Sequence, residues 1–170
     1  MPHQFTLMPG GWISMAQGAF NYSEVIAGSN AAVTFNYCKL GRFRPDGSKF
    51  EITGFGLNNI WGFVLGREGE VFVQEANDMK YSVVPFQNGT TYPGIGNEKF
   101  RPYAPIASPI TDFHLGGTGL SGLACSDSRS GSFPAPWNSV MFVANPITGT
   151  INAVRIEDTE DGGYSTTRLP

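Results

Sequence analysis

Apolar residues along this chain recur mostly at a spacing of two, the period of a half-buried strand rather than of a helix. Lys49–Thr53 sets Phe50 and Ile52 against Lys49, Glu51 and Thr53, and Thr150–Ile156 sets Ile151, Ala153 and Arg155 against Asn152, Val154 and Ile156. Ile60–Leu65 is nearly all apolar, as expected of a strand covered on both faces. Turn chemistry punctuates these runs at Pro9-Gly10-Gly11, Pro45-Asp46-Gly47, Gly66–Gly69, Asn145–Gly149 and Glu157–Gly163. The pattern predicts further strands over Phe5–Met8, Trp12–Ala16, Ala32–Leu40, Glu70–Gln74, Lys80–Pro85, Leu120–Ser126, Val140–Ala144 and Tyr164–Leu169. Gln17–Asn30, rich in small and polar residues, reads as a loop.

Strand–turn–strand units recur roughly every 60–70 residues. They divide the chain at about 1–55, 56–112 and 113–170, with an irregular insertion at 87–112 where Pro93, Pro102, Pro105 and Pro109 break any ladder. This organisation predicts an all-β fold: a partial β-propeller of about three four-stranded antiparallel blades, taken from a six-bladed ring. Three blades do not close a ring that needs roughly four to eight, so the chain reads as a fragment of a single propeller domain. Phe63, Val71, Val73, Leu123, Met141 and Val143 are expected between neighbouring blades.

Composition narrows the classes. With 22 Gly, 12 Pro and 13% aromatic residues, the chain is neither a helix bundle nor disordered. A net charge of -3 without a basic cluster argues against nucleic acid as a partner. No apolar run is long enough for a transmembrane helix, and the first residues carry no signal-peptide pattern. Cys38 and Cys125 can pair only if the fold brings them together; otherwise they are small buried hydrophobes. No CxxCH is present, so this chain holds no haem of its own. The run from His114 to Gly122 is rich in glycine but lacks the ending and the strand–helix setting of a phosphate loop.

The stretch Pro45-Asp46-Gly47-Ser48 with Phe50-Glu51, then Gly56…Asn59…Gly62, then Gly69-Glu70-Val71-Phe72-Val73 resembles the blade junction of the glucose/sorbosone dehydrogenase-like propellers. It is also similar to the bacterial membrane-bound dehydrogenase propellers often joined to a haem-binding cytochrome c domain. The resemblance implies a quinoprotein-type sugar dehydrogenase using pyrroloquinoline quinone and calcium, a periplasmic setting, and a cytochrome domain in the full-length protein. It places His3 at the catalytic base, Asn58 and Asn59 at the cofactor, and Asn77 and Asp78 at the metal. The glycine-rich run that His114 opens precedes an inner strand and is expected to bring the backbone to the channel mouth, with His114 pointing inward as a further cofactor-binding residue. Two positions depart from the family. Asn58 stands where an arginine reaches the cofactor, and the Asn145–Gly149 turn has Ile147 and Thr148 where a lysine does. The alternative reading is therefore a non-catalytic propeller that binds a carbohydrate or a partner protein. Trp12, Trp61 and Trp137 are its candidate sugar-stacking residues.

Overall fold

The structure, a computed structural model, describes residues 1–66, 68–76, 82–86, 89, 92, 115, 119–126 and 133–170. The chain is all-β, built from several antiparallel sheets, and a 3₁₀ turn at Ala135–Trp137 is the helical element among the described residues. No helix among them is long and apolar enough to cross a membrane. The chain forms two compact units, residues 1–61 with 87–106 and residues 62–86 with 107–170.

The first unit is built on a four-stranded meander of β1 (Pro2–Met8), β2 (Trp12–Gln17), β5 (Lys39–Phe43) and β6 (Phe50–Phe55), paired in that order. Between β2 and β5 the chain makes a separate hairpin of β3 (Tyr22–Val25) and β4 (Val33–Asn36). The hairpin packs on the sheet through a core of Met15, Ala27, Phe35 and Phe50, with the Phe35 and Phe50 rings stacked 5.6 Å apart.

This hairpin corrects two expectations. Gln17–Asn30 contains a strand, and Ala32–Leu40 is two strands broken at Tyr37, whose φ is +55°. The physical reason is the fully buried side chain of Gln17. Its Nε2 donates to the carbonyls of Asn21 (3.3 Å) and Tyr37 (3.0 Å), and its Oε1 accepts from the Ser23 hydroxyl (2.5 Å). One amide thus ties both feet of the hairpin to the end of β2. Gln17→Leu keeps the volume but leaves these groups without their partner. It is expected to lower unfolding free energy by about 2–3 kcal/mol, read as a shift of the urea midpoint.

The other elements follow the pattern to within a few residues. They are β7 (Ile60–Leu65), β8 (Val71–Glu75) and β9 (Val83–Pro85) in one sheet, and β10 (Ser121–Ser126), β11 (Val140–Asn145), β12 (Thr150–Asp158) and β13 (Tyr164–Arg168) in another. The sheet of β7, β8 and β9 has three strands among the described residues rather than four.

Within the second unit Phe72 and Val83 pack against Leu120, Leu123, Met141, Val143 and Val154, so that two sheets share one core. A Cβ on Gly62 would lie 2.8 Å from the Leu123 nitrogen, so β7 and β10 approach as closely as glycine allows. Phe63, Val73, Leu123, Met141 and Val143 are buried as expected, while Val71 is half-buried. Cys38, buried in the first unit, and Cys125, half-buried in the second, form no disulfide.

Candidate functional site

His3 lies inside β1 rather than ahead of it. The β1–β2 register pairs His3 with Ala16 and Thr6 with Ser14, so β1 carries one extra residue, and Gln4 takes φ = +53° to absorb it. A bulge of this kind re-aims the side chains beside it. The His3 imidazole meets the start of β7: Nε2 is 3.1 Å from the Ile60 carbonyl oxygen, and the ring stacks on the indole of Trp61 at 5.2 Å and 11°.

A carbonyl oxygen only accepts, so Nε2 is the nitrogen that carries the proton. Burial holds the imidazole pKa below its ordinary value. The Ile60 hydrogen bond works the other way, and the chain-terminal ammonium adds a smaller push downward. The neutral ring therefore presents Nδ1 as an acceptor, with no protein partner among the described residues.

Asn59 belongs to the same group. Its Oδ1 accepts from the Ala19 backbone N–H at 3.1 Å, and a Cβ on Gly18 would come within 2.7 Å of that oxygen. Asn59 thus fixes the loop after β2 against the residues that precede β7. Asn58 is half-buried beside it, after a turn in which Gly56 (φ +113°) and Leu57 (φ +65°) both take left-handed backbone. His3, Asn59 and Trp61 are accordingly brought to one place, although His3 and Trp61 are far apart in sequence. His114, Asn77 and Asp78 lie outside the described residues.

Of the three tryptophans, Trp61 is 47% exposed at this group. Trp12 is engaged by the guanidinium groups of Arg42 (4.3 Å) and Arg44 (3.9 Å), and Trp137 stacks on Phe142. Residue type alone does not separate the three. What distinguishes Trp61 is its place in the Gly56…Asn59…Gly62 motif, one residue after the carbonyl that His3 reaches.

The polar groups here suit a neutral ligand. Pyrroloquinoline quinone carries carboxylates and needs cations at its rim. The described arginine and lysine side chains of the first unit are committed elsewhere. Arg42 and Lys49 pair with Glu51, Arg44 donates to the Gly10 carbonyl at 2.6 Å, and Lys39 donates to the Asn36 carbonyl at 2.6 Å. His3 is held toward its neutral form. The donor set around His3 and Asn59 does not fit a polycarboxylate quinone. Among the described residues no three His, Cys, Asp or Glu side chains gather as metal ligands.

Comparison with solved structures gives a match to a protein described as a glucose dehydrogenase, with a TM-score of 0.61 and 19% sequence identity over 98% of this chain. The chain spans 53% of that protein, about half its length. No protein-family model and no curated protein matches the chain. The likeness shows the fold, and the chain has a glucose dehydrogenase-like fold.

Proposed function

We propose that the chain is part of a β-propeller of the glucose/sorbosone dehydrogenase type, its sheets being blades, and that it binds a sugar at His3 and Trp61. The observation that carries this reading is the 3.1 Å contact of His3 Nε2 with the Ile60 carbonyl: it assigns the proton to Nε2 and leaves Nδ1 as a base beside a half-exposed indole. An indole face suits the C–H face of a pyranose. Nδ1 accepts a hydrogen bond from a sugar hydroxyl, and in an oxidation it takes that hydroxyl's proton as hydride leaves the same carbon. Trp61 stacks on the imidazole and keeps its plane fixed. Asn59 holds the adjoining loop. The hydride would need a two-electron acceptor such as a quinone, held by residues other than those described around His3, with a cytochrome able to take the electrons only afterwards, one at a time. A periplasmic location and a fused cytochrome c domain belong to the same reading.

The second reading, a carbohydrate-binding module without catalysis, is favoured by the placement of Arg42, Arg44 and Lys49 around Trp12, away from His3 and Asn59 in sequence register and already engaged. Both readings require the sugar to bind at Trp61. Glucose and other aldoses titrated into the protein should quench its tryptophan fluorescence, and Trp61→Ala should weaken binding at least tenfold. Equal affinity in Trp61→Ala would remove the site. Dye reduction that depends on sugar, measured with and without added pyrroloquinoline quinone and calcium, then separates the two readings.

A further inference from the structure

A cavity of about 450 Å³ lies in the second unit between the β7–β8 turn and the sheet of β10 to β13. That is within the roughly 300–1,000 Å³ range of small-molecule sites. Its apolar side includes Phe72 and Tyr164, whose rings meet edge to face at 5.1 Å and 74°. Its polar side carries Glu68 and Glu70 from the turn and Glu157 and Asp158 from the end of β12. The cation in the described lining, Arg155, donates to the Pro136 carbonyl at 2.6 Å. Glu70, Glu157 and Asp158 form no ion pair among the described residues. Glu70 lies in the turn before β8 and Asp158 ends β12, and the charge of each bears on the Tyr164 hydroxyl. Burial is the first cause of that phenol's raised pKa, and the two carboxylates add to it.

Glu70 and Asp158 line one cavity together with an aromatic surface, and a bound cation would complement the charge they bring to it. A bare metal ion is poorly served, because the described carboxylates do not gather in a metal-binding set of three. An organic cation uses both sides of the cavity: its charge sits between Glu70 and Asp158, and its stem lies against Phe72 and Tyr164, where ring faces also attract cations. We infer that this cavity binds an organic cation, an alkyl ammonium or guanidinium group carried by a small amine or by a lysine or arginine side chain of a partner. None of the sugar-site residues takes part, so the two sites stand or fall separately.

Titration calorimetry with agmatine, spermidine and a short lysine- and arginine-containing peptide tests this, with 1,4-butanediol as the uncharged control. The cations should bind and the diol should not. Glu70→Gln with Asp158→Asn should weaken binding at least tenfold without lowering the melting temperature. The amide oxygen introduced at position 70 can still accept from the Glu68 N–H, which the Glu70 carboxylate engages at 2.9 Å. Should the double variant fold poorly, Asp158→Asn alone, at an exposed position, should give a smaller loss of the same kind. Binding by the peptide alone supports the site and assigns the cation to a partner side chain. No binding by any cation, or equal affinity in the variants, overturns the inference.

Discussion

Alanine at Gly56 is expected to destabilise the first unit by about 3–5 kcal/mol, the range of a large core deletion. Gly56 is buried with φ = +113°, and a Cβ there would overlap the backbone oxygen, carbon and nitrogen of Tyr92. Backbone cannot swing aside as a side-chain tip can. The methyl must therefore expel the Tyr92 segment, breaking the Tyr92 N–H to Phe55 carbonyl bond (3.0 Å) and exposing a phenol ring that is fully buried. Strain at positive φ adds about 1–2 kcal/mol. Gly47 is the control: its φ is +73°, but a Cβ there meets nothing within 4 Å, so Gly47→Ala should cost only that strain. Urea unfolding of the two variants measures the difference. Equal midpoints would contradict the close packing of Tyr92 on the Gly56 turn.

The second large effect falls on His3. If the protein oxidises sugars, His3→Gln should lower sugar-dependent dye reduction by about 10²–10⁴-fold, the usual contribution of a general base. Sugar binding through Trp61 should fall far less. The pH dependence has a definite sign. The folded-state pKa of His3 lies below the ordinary imidazole value of 6.5. Between the two values the unfolded chain binds a proton that the folded chain does not. Unfolding free energy should therefore fall as pH drops through 6.5 and level off below the folded pKa. Activity should persist somewhat below pH 6.5, because Nδ1 stays unprotonated there. His3→Gln should flatten its part of the stability slope. A slope of opposite sign for His3 would mean that the imidazole is stabilised as a cation.

Strand periodicity and turn chemistry made most of the sheet elements legible, because Phe50, Ile52, Val73, Leu123 and Val143 sit on faces that the core requires. The β3–β4 hairpin was not legible. Tyr22–Val25 has too few apolar residues to declare itself, and what holds it is the Gln17 side chain, a polar anchor in a segment that reads as a loop. The break at Tyr37 has the same source, since Gln17 claims its carbonyl.

At the site, resemblance singled out His3 and Asn59, and the fold brings both to the start of β7. Their geometry could not be read from the chain. The placement of His3 depends on a one-residue bulge, and its tautomer on a carbonyl 57 positions away in sequence. Trp61 stood out only as one tryptophan of three. A contact between the first strand and the seventh leaves no local periodicity to detect.

A neutral His3 imidazole that meets a sugar is the central feature of the proposed site. Long-range ¹H–¹⁵N spectra of the histidine rings, recorded at pH 7 with increasing glucose, test both together, with His3→Gln assigning the signal. The expected result is a His3 pattern with Nε2 protonated and Nδ1 bare, and a shift of the Nδ1 resonance as sugar binds. An Nδ1–H tautomer or an imidazolium at pH 7, with resonances that no sugar moves, would contradict it.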